Sequence, residues 1–494
     1  MHRGVNNTKG VSRWLPGCVS FARVKCLHTN FGGNQTWESR CYRPASEAEV
    51  LEILDRHGEG RIRAVGSKHS WSDIAAGTDV SLDMSRLDEV RLYEKDGAVL
   101  ARVGAGCRLQ ALLERLHGTS ERTLPTLGAI KRQTISGAVS TGTHGSGTQS
   151  LSHFVAGARI AAYDAASGKA KIFEYSGGDE LRAARCGLGC TGILLSLDVV
   201  TVPKYKVRET ITREASLDRV LRRYPEYSLT QFGLVPYAWT YLVFERRPQP
   251  ASQATAGEYC KALLHRLYNT IWVDVLFHLG VKASIAAGSR VVKAALRLTP
   301  RLLLTGVSRV DDAEHVLTLG HYYFRHEEME LFVAESQLAE ALEVLRYATE
   351  VFAGEASGPA AQIQAKLEAH GLHEELLAHR GSYTQHYPFF IRRLLPEDTL
   401  VSMGASIIEP LYSISVFTYH NPRAREAYYR WCGWLARCMS ALFAARLHWG
   451  KHFPLGPEAT GTYPRLQDFR RVCLALDPHG VFRNAYTARV LRLP

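Results

Sequence analysis

Residues 187–193 read Gly187-Leu188-Gly189-Cys190-Thr191-Gly192-Ile193, and the letters fit GxGxxG. The dinucleotide turn of a doubly wound fold needs a strand before these glycines and a helix after them. Here the order is reversed. Glu180-Leu181-Arg182-Ala183-Ala184-Arg185 precedes the glycines with helical spacing, and Leu194 to Val200 follows as an apolar strand. The stretch is therefore no Rossmann turn, although its glycines still permit close backbone approach to a ligand. The segment that contains it runs strand, loop, helix up to about Pro203, which reads as α+β or α/β.

Working outward, Ser46 is a helix N-cap with Glu49 three residues on, followed by Val50, Leu51, Ile53 and Leu54 at helical spacing. Arg61 to Val65 reads as a short strand, and Gly66-Ser67-Lys68-His69-Ser70 as the polar turn after it. Successive backbone N–H groups in such a turn can hold a pyrophosphate, and Lys68 adds a charge for it. Val80–Met84 and Ala98–Val103 read as strands, and Leu109–His117 as a helix after the Gly104-Ala105-Gly106 turn. Ile135 to Gly147 holds four glycines and almost no bulk, the composition of a loop that lines a ligand. Between about 205 and 440 longer helical periods are expected, with Leu338–Phe352 a clear amphipathic helix. Thr270–Val307 mixes Ile271, Trp272, Val275, Leu276 and Phe277 with Lys282, Arg290, Lys293, Arg297 and Arg301. That is an apolar stripe with basic flanks, suited to core packing or to a membrane surface. His448-Trp449-Gly450-Lys451-His452 and Asp477-Pro478-His479-Gly480-Val481-Phe482-Arg483-Asn484 mark the far end, where loops and one short helix are expected.

The 494 residues suffice for two or three domains, and 46% hydrophobic residues with 41 Gly and 19 Pro exclude collagen-like or wholly disordered chains. Charge breaks every apolar run before the ~18–20 residues that span a bilayer. Lys and Arg number 60 against 48 Asp and Glu, a net +12, which admits a nucleic-acid, membrane-surface or anionic-ligand partner. The ten cysteines show no paired CxxC knuckles and no disulfide-scaffold density, so no metal site and reduced thiols are expected. Before Glu38 there is no acid, while Arg3, Lys9, Arg13, Arg23 and Lys25 are basic. This is the composition of a transit peptide or of a basic tail, and it leaves an intracellular, mitochondrial or other organellar address open.

The order and spacing of these motifs resemble the sugar-1,4-lactone oxidases (aldonolactone oxidoreductases) of the vanillyl-alcohol-oxidase type of flavoproteins. The shared signatures are a VGSGHS-like loop at 65–70, an SGAxxxGTHGxG loop at 136–147, the GLGxxG segment, and a terminal HWxK with DPxGxFxN. The resemblance implies an α+β fold in two parts. Residues 1–39 would be an extension, 40–204 the FAD-binding domain, 205–440 an inserted cap, and 441–494 a return to the flavin site. It implies that Gly66, Ser67, Lys68 and Ser70 hold the pyrophosphate, and that Ser136, Gly137, Ser140, Gly142, Thr143 and His144 line the cofactor. Gly187, Gly192 and Ile193 would contact it by main chain. His69 occupies the position joined covalently to the flavin in several relatives. Lys68 stands where the family has Gly, which leaves FMN open beside FAD.

Glu328 to Val333 resembles the family's MExxVP segment, and Arg392 matches the Arg of its ExR motif. The Glu of that motif is Phe390 here. The resemblance implies FAD-dependent oxidation of an arabinono- or galactono-1,4-lactone, with Arg392 and Lys451 stabilising negative charge and His448 as proton acceptor or as the residue that orients Lys451. Dioxygen is the expected electron acceptor, admitted past Gly104-Ala105-Gly106. Alternatives are a dehydrogenase using cytochrome c and an alditol oxidase. The charge then needs no nucleic-acid partner, while peripheral membrane association stays open.

Overall fold

The computed structural model describes residues 24–250, 263–268, 271, 275–303, 305–319, 325–355, 358–421 and 425–494. Arg3, Lys9, Arg13, Arg23, Trp272, Cys18 and Cys260 lie outside them. Two small sheets and one large sheet organise the chain. The first has the order Val24–Thr29, Thr36–Tyr42, Val80–Leu82, Ile62–Ala64, with parallel pairing where 80–82 meets its two neighbours. The second is antiparallel, in the order Val90–Lys95, Ala98–Gly104, Ile193–Val200, Val155–Tyr163, Ala170–Tyr175. The helix Glu47–Arg56 starts as its sequence predicts, with Ser46 Oγ accepting from the Glu49 N–H at 3.2 Å.

Residues 24–39 are not an extension, because the strands Val24–Thr29 and Thr36–Tyr42 form one edge of the first sheet and the 39/40 boundary cuts a strand. Their polar, alternating exposure hid them from an apolar search. The stretch 205–440 has the longer helices expected of it, Ser289–Leu302, Leu338–Phe352 and Arg425–Phe443, but its sheet was not foreseen. It carries seven strands of an eight-stranded antiparallel sheet, Ser308–Asp312, Tyr205–Glu214, Thr240–Pro250, Gln231–Val235, Phe389–Leu394, Leu411–Tyr419 and His326–Ala334, completed by Arg446–Leu447. These strands hold charged residues such as Glu209, Arg246 and Arg309, which neutralise one another inside the protein, so the period of two is masked. Leu338–Phe352 is a helix, as its spacing predicts.

The final segment stitches the two parts together. Arg446–Leu447 pairs with Leu331 and Phe332 at the cap-sheet edge. The chain then crosses back and forms two helices, Leu466–Leu476 and Ala485–Leu491, one more than expected. There the N–H of Ile62 donates to the Val481 carbonyl at 2.8 Å, and Arg63 donates to the carbonyls of Phe482 at 2.6 Å and Leu188 at 2.7 Å. The Asn484 amide donates to the carbonyls of Asp73 and Ala76. One hydrophobic core, from Tyr42 to Leu493, runs through all three segments.

Candidate active site

The glycine-bearing segments meet where the cap sheet faces the first part. Helix Gly178–Arg185 precedes residues 187–193 and strand Ile193–Val200 follows them, the order that the sequence predicts. The structure also gives these glycines packing reasons. A Cβ on Gly187 would stand 2.6 Å from Thr191 Oγ1, and one on Gly192 (φ +113°) 2.7 Å from the Ala161 carbonyl. Ile193 is buried in the core. The Leu188 N–H donates to Ser140 at 3.1 Å, so this segment backs the second loop. In that loop Gly137 caps on Thr134, the Ser136 hydroxyl donates to the Ala105 carbonyl at 2.7 Å, and Gly142 (φ +74°) lies against Met403. Thr143 and His144 are buried. Gly104 and Gly106 are small because the backbone at Leu87 and Met84 approaches them, within 2.3 and 1.9 Å of a built Cβ. This close packing is itself a reason for their size.

The turn at 66–70 follows strand Ile62–Ala64. A Cβ on Gly66 would stand 2.4 Å from Thr134 Oγ1, Ser67 donates to the Arg132 carbonyl, and Lys68 takes the left-handed conformation at φ 58°. The Ser70 carbonyl accepts from Asn30 at 2.8 Å. His69 is half-buried with its ring 5.0 Å from Phe31. Burial, and then the charges of Lys451, Arg132 and Arg108, push its imidazole down to about 4. Positive charge is thus concentrated about His69.

From the cap side, alternation along the strands puts Glu328 and Glu330 on the same sheet face as Phe390 and Arg392, with strand Leu411–Tyr419 and its Ser415 between them. Arg392 donates to Glu330 Oε1 at 2.5 Å and to the His144 carbonyl at 3.1 Å, and Ser415 donates to the same carboxylate oxygen at 3.1 Å. Burial works to raise the Glu330 carboxyl, but the Arg392 charge and then His144 outweigh it and hold it well below the usual range. Lys451 is fixed by Glu328 and lies 4.5 Å from the Trp71 ring centroid. Trp71 is positioned by its Nε1 donating to the His326 carbonyl at 2.8 Å.

His448 differs from its sequence-based role. The Gly450 N–H donates to His448 Nδ1 at 3.0 Å, which occupies that lone pair and places the proton of the neutral ring on Nε2. Burial, joined by Lys451, His144 and Arg392, outweighs the opposing Glu330 carboxylate and holds the imidazole well below its ordinary range. His448 is therefore an Nε2–H donor and not a proton acceptor, and Glu328 with Trp71, rather than His448, orients the Lys451 side chain. His144, Glu330 and His448 bring ligand atoms within 4.8 Å of one another. Arg392 and Gly450 already occupy donor atoms of that set, and a cation beside the guanidinium is repelled, so the group does not suit a metal.

The carboxylate that Phe390 lacks is thus present from another strand, as Glu330. Sequence reading noted Glu328 and Glu330 only within a motif, and gave no role to Trp71 or Ser415. The signal that could find the two glutamates is their spacing of two on one strand. Phe390 itself borders half-buried aromatics, its ring centroid 6.2 Å from Phe244, 6.2 Å from Tyr387 and 6.1 Å from Phe417. Gly233, opposite Phe390 in register, leaves room beside it. Between polar and aromatic halves, the buried Glu330 Oε2 and His144 Nε2 lack hydrogen-bond partners; His144 Nε2 is 3.3 Å from Glu330 Oε1 but misdirected for a hydrogen bond.

Pyrophosphate-type turn, ligand-lining loop and cation-bearing cap together define a FAD-dependent oxidoreductase of the vanillyl-alcohol-oxidase fold. Residues 39–166 match the FAD binding domain family and residues 197–490 the family described as D-arabinono-1,4-lactone oxidase. The chain belongs to this D-arabinono-1,4-lactone oxidase family. It is 41% identical over 467 residues to a long-chain alcohol oxidase of an uncultured marine euryarchaeote, covering 94% of this chain and 96% of that protein. It is 28% identical over 485 residues to an L-gulono-1,4-lactone dehydrogenase of Mycobacterium tuberculosis, covering 94% and 99%. Among solved structures, cholesterol oxidase from B. sterolicum superposes with a TM-score of 0.69 over 98% of this chain and 100% of that one, at 14% identity. That likeness concerns the fold alone.

Proposed function

We propose that the protein oxidises the CH–OH group of an alcohol whose remaining part is apolar, with dioxygen as electron acceptor. The observation that carries this reading is the half-buried aromatic wall of Phe390, Phe244, Phe417 and Tyr387 beside the Arg392–Glu330 pair. An apolar chain gains by leaving water for such a surface, whereas a polyhydroxylated ring would leave its hydroxyls unpaired against it. The 41% identical long-chain alcohol oxidase supports the same reading.

FAD, when bound, supplies the hydride acceptor. Gly66, Ser67, Lys68, Ser70, Arg108 and Arg132 would hold its phosphates, and the loop 136–144 would line it. The chain's own residues do the rest. Lys451 and Arg392 are fixed cations in a largely dry cleft, where charge stabilisation is worth far more than in water. Glu328 and Glu330 hold them in place, so little reorganisation accompanies the reaction. Glu330 Oε2 is the open acceptor for the substrate hydroxyl, and His448 Nε2–H is a donor toward negative charge.

A second reading, oxidation of an aldono-1,4-lactone to the enediol, is favoured by the family match and by the buried Arg392, Glu330 and Ser415 cluster. A panel of dodecanol, butanol, xylitol, galactonolactone and arabinonolactone, each scored for peroxide and for cytochrome c reduction, separates the readings. Turnover of lactones with none of long-chain alcohols overturns the first.

A further inference from the structure

From Val275 to Val310 the chain carries no Asp or Glu, yet it holds Lys282, Arg290, Lys293, Arg297, Arg301 and Arg309. The structure folds most of this stretch into two helices, His278–Ala287 and Ser289–Leu302. At ~100° per residue, Val291, Leu298 and Leu302 share a stripe about 40° wide on the second helix. All three face solvent, Leu298 at 51% and Leu302 at 61% exposure. The core side of the same helix is a separate face made by Val292, Leu296 and Thr299. The apolar stripe is therefore surplus to packing. On its other flank lie Arg290, Arg297 and Arg301. Leu279 on the first helix and Leu276 just before it are also exposed, at 57% and 45%.

Three of these cations are paired: Lys293 and Arg297 meet Glu355 at 3.2 and 2.8 Å, and Arg309, buried, meets Glu209 and is no part of the surface. Lys282, Arg290 and Arg301 are exposed and form no ion pair among the described residues. An exposed apolar stripe between a packed face and a basic face is the arrangement of a helix lying in a bilayer interface. The absence of acid over 36 residues selects an anionic surface.

We propose that this face docks the protein on anionic phospholipid bilayers. The dock is continuous with the candidate active site. Leu276 is followed by Phe277 and His278, whose rings each lie 6.0 Å from Tyr387, a member of the aromatic wall. On the apolar-alcohol reading, on which this step alone rests, the dock gives a membrane-dissolved substrate a short apolar path to Arg392.

The test is co-sedimentation of the full FAD-loaded protein with phosphatidylcholine vesicles and with vesicles one-third phosphatidylglycerol. The expected result is binding to the anionic vesicles that falls at least tenfold in 0.5 M salt. It should fall to a similar extent in Leu298→Ser/Leu302→Ser and, separately, in Arg290→Glu/Arg301→Glu. Bound-flavin absorbance and turnover of butanol check that both variants are folded. Equal sedimentation of wild type and variants overturns the proposal. So does a concentration-dependent dimer that both variants dissociate without any vesicle binding, since the face would then serve a second copy of the chain. Vesicle binding without oxidation of dodecanol removes the substrate reading and leaves the dock standing.

Discussion

Arg392→Met removes a guanidinium that Glu330 meets at 2.5 Å, and it leaves a fully buried carboxylate with the Ser415 hydroxyl and the imidazoles of His144 and His448 near it. Removing one partner of a buried pair costs about 3–5 kcal/mol, because the other charge remains desolvated. The pH dependence carries the sharper signature. In the wild type the Glu330 carboxyl is held well below its ordinary value. Its contribution is present above the unfolded pKa and is lost only as strong acid approaches the folded one. In Arg392→Met burial dominates and raises it. The native state then binds more protons than the unfolded one, and stability falls as pH rises from the unfolded value toward the raised one. The deficit relative to wild type should be largest near pH 8 and shrink toward pH 5. Urea unfolding of the FAD-loaded protein, followed by flavin fluorescence at several pH values, measures this. Adding Glu330→Gln should recover more than half the loss at pH 8 without restoring turnover. A deficit below about 1 kcal/mol, or one that is flat with pH, refutes the reasoning that the pair is a buried, mutually dependent unit.

Further outcomes follow from the same geometry. Phe390→Glu should shift the kcat/KM ratio of galactonolactone to dodecanol upward by at least tenfold, read from peroxide formation. Lys451→Met should lower kcat about 10²–10³-fold, the scale of removing one preorganised charge-stabilising donor, while the flavin stays bound; Glu328→Gln, which frees the ammonium, should give a smaller loss. His69, neutral at pH 7 because its imidazole is pushed down to about 4, should keep the flavin colour with the polypeptide after denaturation, and His69→Ala should release it. His278, His386 and His452 are each lowered by burial to about 4. The unfolded chain therefore binds protons there between pH ~6.5 and ~4 that the native chain refuses. Stability should fall with acidification by up to about 1.4 kcal/mol per pH unit for each site, seen as a lower urea midpoint at pH 5 than at pH 7.

The first part of the fold was legible because its signals are local. A capped helix at Ser46, short apolar strands and glycine turns each declare themselves within ten residues. The helix-before, strand-after order around residues 187–193 was legible for the same reason. The cap sheet was not, because its strands bury charge. Glu209, Arg246 and Arg309 satisfy one another across three strands, and no single strand looks apolar. The site was half legible. Arg392, Lys451 and the loops could be placed by motif, but the partners that fix them come from strand register. Glu330 meets Arg392 through the pairing of Glu330 with Ser415 and of Arg392 with Ser413. The role of His448 depended on a backbone N–H two residues away, which composition cannot reveal.

The last fifty residues carry a consequence for how the protein is made. Ile62 and Arg63 in the first sheet, and the 73–76 turn, hydrogen-bond to Val481, Phe482 and Asn484. A ribosome delivers those partners only after the whole cap, residues 205–440, has been made. The flavin half therefore cannot complete itself as a unit while the cap is being synthesised, unlike an ordinary amino-terminal domain. Its early strands must wait with open edges, so a chain ending before Val481 should lose the amino-terminal half as well as the carboxyl-terminal one. Termination between the cap and Val481 would then yield an aggregation-prone polypeptide, not a shortened enzyme.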